Sequence, residues 1–135
     1  MSGLSRLERH RESLKMSQDS SDGTPARTSS EGTLAIVWTT IADAERAQTI
    51  ASELVQRRLA ACVQTDGPVR STYVWKERLE VENEYRLVIK TPSDKVAAVL
   101  DWLADHHPYD EPEILVTPVT RTSPGYLKWA VDQTR

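Results

Sequence analysis

The residues of this chain that are best suited to chemistry are concentrated in the stretch LADHHPYDEPEIL, residues 103–115. Two histidines and three carboxylates fall within eight positions of it: His106, His107, Asp110, Glu111 and Glu113. Imidazole is a common metal ligand, and carboxylates can carry out acid–base chemistry. Neighbours on a regular helix point about 100° apart, so His106 and His107 would share a metal only where a helix frays before Pro108. The stretch therefore predicts either a metal or ligand site, or a helix end that turns into a strand.

The remaining candidates have a structural interpretation beside a functional one. Cys62 lies between Ala61 and Val63, which is typical of a small buried hydrophobe, with a ligand as the alternative. Lys90 ends an otherwise apolar strand, so it either extends to water, pairs with Glu113 or binds an anion. An acylphosphatase-type enzyme is disfavoured, because the loop TTIADA after the first strand has no glycine or arginine to cradle a phosphate.

The chain divides by composition into a polar segment and a folded domain. Residues 1–32 contain four sizeable apolar side chains: Leu4, Leu7, Leu14 and Met16. Such a segment cannot bury enough apolar surface to offset its ordering entropy, which predicts a disordered tail over 1–32 and one domain over 33–135. The tail lacks the apolar centre of a signal peptide, and Met16 offers an alternative translation start.

Charge and cysteine usage narrow the class of protein. A net charge of −3 argues against a nucleic-acid partner, which needs a basic surface to displace counterions from phosphates. No apolar run is long enough to span a membrane. The single cysteine allows no internal disulfide and fits a reducing compartment. We therefore expect a soluble, cytoplasmic protein.

Hydrophobic periodicity predicts the elements that must position these residues. Strands are indicated over 33–40, 59–65 and 113–119, with Gly67-Pro68 ending the second, and helices after Asp43, after TPSDK and over 123–133. Residues 69–91 read as a long hairpin whose turn region is KERLEVENE, 76–84. The order β-α-β-β-α-β plus a C-terminal helix predicts an α+β, ferredoxin-like split βαβ sandwich with two helices on one face of an antiparallel sheet.

Aromatic residues on the hairpin favour self-association. The period of two places Val69, Ser71, Tyr73 and Trp75 on one face. A one-sided sheet with an aromatic face and an open edge is an aggregation hazard unless something packs on it. Symmetric association of identical subunits is the usual remedy.

Four separated motifs resemble one protein family. They are LAACV (59–63), YVWKERLEVENEYRLVIKT (73–91), HPYDEPEIL (107–115) and YLKWA (126–130). Together, and in this order, they resemble the CutA family of divalent-cation-tolerance proteins from about Leu34 to the C-terminus. The resemblance implies a ferredoxin-like subunit in a tight homotrimer, whose long hairpins extend the sheets across subunit boundaries. It also implies a link to copper and other divalent cations, with no established reaction, so we expect a non-enzymatic protein.

The resemblance also assigns roles to residues. His106 and His107 match the paired histidines proposed as copper ligands, whereas Trp38 or Thr39 holds the place of a first-strand cysteine. The softest ligand for cuprous copper is therefore missing, and we expect copper or another divalent cation to be weakly held. A ligand cleft between subunits is expected to involve Lys90, Tyr109, Glu113 and Cys62, and the trimer interface Tyr73, Trp75 and Trp129. The alternative is a PII-like small-ligand signalling protein, or a scaffold for a protein partner with the 1–32 tail as a tether.

Overall fold

The computed structural model describes residues 32–135, so the predicted tail lies outside the described residues except for Gly32. Strands and helices follow in this order: β1 (Leu34–Ile41), α1 (Ala44–Gln56), β2 (Cys62–Trp75), β3 (Arg78–Pro92), a 3-10 turn (Ser93–Lys95), α2 (Val96–His106), β4 (Ile114–Val119) and α3 (Pro124–Gln133). The predicted order of a split βαβ unit followed by a C-terminal helix is confirmed.

The four strands form one antiparallel sheet in the order β2-β3-β1-β4. The main core lies where α1 and α2 cover one face of this sheet, and it combines Val37, Leu87 and Ile89 with apolar residues of both helices. A smaller cluster joins α3 to the first residues of β1 and β2 through Leu34, Ala61 and Ala130. The α+β, ferredoxin-like architecture expected from the sequence is therefore confirmed.

Local signals start and end the helices where the sequence places them. Asp43 caps α1, since its Oδ2 accepts a hydrogen bond from the backbone N–H of Arg46 at 3.0 Å. Ala47, Ile50 and Leu54 then recur at helical spacing and are buried against the sheet. Pro108 keeps His107 extended, and α2 ends at His106.

The structure corrects two details of the hairpin. Gly67-Pro68 does not end a strand, because β2 continues to Trp75 across a register shift between Asp66 and Val69. The predicted turn over 76–84 is also wrong, since the turn consists of Lys76 and Glu77 alone, at φ of 52° and 68°. Residues 78–84 pair with β2. Residues 78–83 are all exposed or half-buried, which explains why most of them are charged or polar.

The outer part of this hairpin projects beyond the rest of the sheet. β1 pairs with β3 from Pro92 only as far as Tyr85, so residues 69–84 form a two-stranded ribbon that has no third strand among residues 32–135. One face of the ribbon carries the half-buried Tyr73 and Trp75. On the other face, apolar side chains are strongly exposed: Val74 at 65%, Leu79 at 72% and Val81 at 51%. None of the helices in residues 32–135 has the length and apolar character needed to cross a bilayer.

Candidate functional site

The junction between α2 and β4 turns His107 inward. Its backbone N–H closes the helix by donating to the carbonyl of Leu103 at 2.8 Å, and its backbone is extended, as the following proline requires. The side chain is 8% exposed and lies against the end of β1. The predicted helix-to-strand junction thus places His107, but not His106, in the interior.

Both ring nitrogens of His107 are already engaged. Nδ1 accepts a hydrogen bond from the backbone N–H of Tyr109 at 3.1 Å. Nε2 therefore carries the hydrogen, which it donates to the carbonyl oxygen of Thr40 at 3.1 Å, with the Thr39 hydroxyl 3.0 Å away. A metal needs a free nitrogen lone pair, so His107 cannot act as a ligand while these contacts hold.

The next residue of the network is a buried carboxylate. Glu84 is 0% exposed, and its Oε2 accepts a hydrogen bond from the hydroxyl of Tyr109 at 2.8 Å. Its Oε1 accepts a second bond from the hydroxyl of Ser71 at 2.6 Å. The rings of Tyr109 and His107 also meet edge to face, with centroids 4.8 Å apart. We call this chain of contacts from Ser71 through Glu84 and Tyr109 to His107 the carboxylate network.

Glu84 was missed by the sequence analysis. It lies in the polar run that was interpreted as a turn, among Glu80, Glu82 and Arg86, and nothing local distinguishes it from them. Its burial depends on Tyr109, which is 25 positions away along the chain. The signal that marks Glu84 is therefore a tertiary contact.

His106 has a different environment, on the surface. Its Nδ1–H donates to the carbonyl of Trp102 at 2.8 Å, and its ring stacks on the Trp102 indole with centroids 4.0 Å apart and an interplanar angle of 11°. The guanidinium carbon of Arg57 lies 5.9 Å from the centre of the same indole. With Nδ1 used as a donor, Nε2 of this exposed, well-anchored imidazole keeps its lone pair.

His106 and His107 do not come together as a metal-binding pair within one subunit. Residues 32–135 contain no group of three or more His, Cys, Asp or Glu side chains that could hold one. His106 faces outward beside Trp102, whereas His107 is hydrogen-bonded inside. The two imidazoles thus have separate surroundings within one subunit.

The residues predicted to line a ligand cleft fall into two places within one subunit. Lys90 pairs with Cys62 across β2 and β3, and Cys62 lies near Tyr126, whose pKa is raised by burial and by the Cys62 charge. Tyr109 lies instead at Glu84, six positions along β3 from Lys90 and so about 20 Å away.

Glu113 and the predicted interface residues are also dispersed. Glu113 is exposed and precedes Ile114, which pairs with Thr39, so it lies at the His107 end of the sheet. Tyr73 and Trp75 share the half-buried face of the ribbon. Trp129, which is 43% exposed, lies on α3 beside Tyr126. Their role between subunits stays a prediction.

Comparison with known proteins identifies a matching family and relatives of about 40% sequence identity. Residues 35–133 match the family described as CutA1 divalent ion tolerance protein. The chain is 40% identical over 101 residues to a Xenopus laevis protein named Protein CutA homolog, a match that covers 75% of this chain and 67% of the relative. It is 39% identical over 101 residues to the Divalent-cation tolerance protein CutA of an Escherichia coli strain, which covers 75% of this chain and 90% of the relative.

Solved structures give the same result for the fold. CutA from Xylella fastidiosa superimposes with a TM-score of 0.73 at 35% identity, covering 76% of this chain and 98% of that one. CutA1 from Oryza sativa gives a TM-score of 0.75 at 28% identity, covering 79% and 98%. An Archaeoglobus fulgidus protein described as the periplasmic divalent cation tolerance protein CutA gives 0.72 at 30% identity, covering 76% and 99%.

Proposed function

Because the chain belongs to the CutA1 divalent ion tolerance protein family, we propose that it acts in divalent-cation tolerance as a homotrimer that carries out no reaction of its own. We place it in the cytoplasm, since the free, half-buried thiol of Cys62 suits a reducing compartment. Two features of the chain support this proposal: the projecting ribbon and the arrangement of its histidines.

The ribbon is the feature that supports the proposed self-association. A two-stranded hairpin without a third strand is marginally stable in water, yet residues 69–84 extend as one. The side chains of Val74, Leu79 and Val81 also expose apolar surface to water, where a monomeric protein would present polar groups. Packing this ribbon on another copy of the chain removes both problems, and a closed ring of identical subunits does so for every copy.

The histidines support a cation bound between subunits. Of the two histidines between residues 32 and 135, His106 offers the Nε2 atom of a fixed, exposed imidazole, while His107 is committed to the interior. Imidazole nitrogen suits Cu²⁺ and other divalent cations of the later transition series. We therefore propose that copper or a related cation is held weakly by His106 side chains of different subunits, with no ligand contributed by His107.

The assembly is tested by light scattering on the full chain at micromolar concentration. The expected mass is three times the 15.2 kDa subunit mass. Leu79→Asp should lower this mass, because it places a charge on the apolar face of the ribbon, whereas Val55→Asp on α1 provides a matched exposed control that should not. A wild-type protein of single-subunit mass would refute the proposal.

A further inference from the structure

The Glu84 carboxylate contacts both the ribbon and the 107–113 loop between α2 and β4. Oε1 accepts from Ser71, which belongs to the ribbon, and Oε2 accepts from Tyr109, which belongs to the loop. We propose that Glu84 is a positioning residue that couples self-association through the ribbon to the conformation of the histidine-bearing loop. This inference rests on the proposed assembly, and it adds a function for the carboxylate network.

The burial of Glu84 makes this connection strong. A carboxylate that is fully removed from water must keep hydrogen-bond donors, because losing one leaves a buried charge poorly compensated. Bonds to a charged acceptor are also stronger than bonds between neutral groups. The carboxylate therefore holds Ser71 and Tyr109 at a fixed distance from each other. If the ribbon moves at Ser71 and Glu84, the Tyr109 hydroxyl moves with it.

The connection continues from Tyr109 to the histidines. The Tyr109 backbone N–H donates to Nδ1 of His107, and its ring contacts the His107 ring edge to face. His107 is in turn fixed to the end of β1 by the Thr40 carbonyl. His106 directly precedes His107 in the chain, so the placement of the His106 imidazole depends on the same contacts.

The ribbon has the properties of an element that assembly would order. Over residues 69–84 no third strand from the described part of the chain pairs with it, and one of its faces is apolar and exposed. In the assembled protein the ribbon is held in place, so the carboxylate network is held as well. Coupling of this kind is reciprocal in free energy: binding at the loop stabilises assembly by as much as assembly favours binding.

The test is a double-mutant cycle read by hydrogen exchange of the 107–113 loop in the full chain, with mass measured on the same samples. Tyr109→Phe removes the hydroxyl that reaches Glu84, and Leu79→Asp weakens ribbon packing. We expect Leu79→Asp to speed exchange of the loop about tenfold in the wild-type background, and less than about twofold in the Tyr109→Phe background. Val55→Asp should leave loop exchange unchanged in both backgrounds.

The outcomes separate the inference from the proposal beneath it. A trimer in which Leu79→Asp lowers the mass but speeds loop exchange equally with and without the Tyr109 hydroxyl overturns the coupling alone. A trimer in which Leu79→Asp lowers the mass and leaves the loop unchanged does the same. A wild-type mass of one subunit overturns the assembly, and the coupling with it.

Discussion

Removing the hydroxyl of Tyr109 should destabilise the folded domain measurably. Tyr109→Phe keeps the ring, which is 7% exposed and packs edge to face on His107. The only atom lost is the oxygen that donates to Oε2 of Glu84 at 2.8 Å. Glu84 then keeps its bond from Ser71 but loses a donor inside a region from which water is excluded.

The size of the effect follows from the charge on the acceptor. A hydrogen bond to a charged group contributes about 1.5–3 kcal/mol, and an unsatisfied buried acceptor carries its full desolvation cost. We expect the free energy of unfolding to fall by about 2 kcal/mol. For a domain of this size, each kcal/mol lowers Tm by about 4–8 °C, so the expected shift is on the order of 10 °C.

The assay is denaturant or thermal unfolding at one fixed subunit concentration, because the stability of an assembly depends on concentration. Tyr126→Phe is the matched control: Tyr126 is half-buried, and its hydroxyl makes no hydrogen bond to any residue between 32 and 135. We expect that control to change stability by less than about 0.5 kcal/mol. Equal effects of the two substitutions would refute the assignment of the Tyr109–Glu84 bond as a stabilising contact.

Three further predictions follow from the hairpin and α3. Gly67→Ala should lower the free energy of unfolding by about 1–3 kcal/mol in chemical denaturation. The reason is that φ at Gly67 is +139° and the new Cβ would lie 2.9 Å from the Glu84 carbonyl oxygen. Gly125→Ala is the control and should not destabilise the protein, because its new Cβ meets no atom within 4 Å. Raising the pH through about 10 should destabilise the wild type more than Tyr126→Phe, as measured by unfolding at a series of pH values. The pKa of Tyr126 is raised in the folded state, so its contribution to stability is present below the unfolded-state pKa and is lost as the pH rises through the folded-state pKa. Trp75→Ala should weaken association by about 2 kcal/mol, or about 30-fold in dissociation constant by sedimentation. An unaltered trimer would show that this side chain is not an interface anchor.

Features set by local chemistry could be predicted from the sequence. Pro108 restricts the residue before it, so the end of α2 follows from neighbours along the chain. Alternation of apolar residues at Val37, Leu87 and Ile89 reflects burial of one sheet face, which is why the strands of the core were found. The cap of α1 at Asp43 is equally local.

Features that depend on distant partners could not be predicted in this way. Most residues from Arg78 to Asn83 are charged or polar, because this part of β3 stays exposed or half-buried, so periodicity could not separate a strand from a loop. Glu84 is buried through Ser71 and Tyr109, and His107 is committed to the end of β1. The family resemblance matched His106 and His107 to a pair of copper ligands, whereas the extended backbone at His107 sends them to different surroundings.

The most direct test of the proposed function is a calorimetric titration of Cu²⁺ into the assembled protein, comparing the wild type with His106→Ala and His107→Ala. We expect His106→Ala to remove Cu²⁺ binding without loss of mass, because among residues 32–135 its Nε2 atom is the imidazole donor left available. His107→Ala should lower Tm and still bind Cu²⁺, since both of its nitrogens are used inside the fold. Unchanged Cu²⁺ binding in His106→Ala, or its loss only in a folded, trimeric His107→Ala protein, would refute the assignment of His106 as the Cu²⁺ ligand.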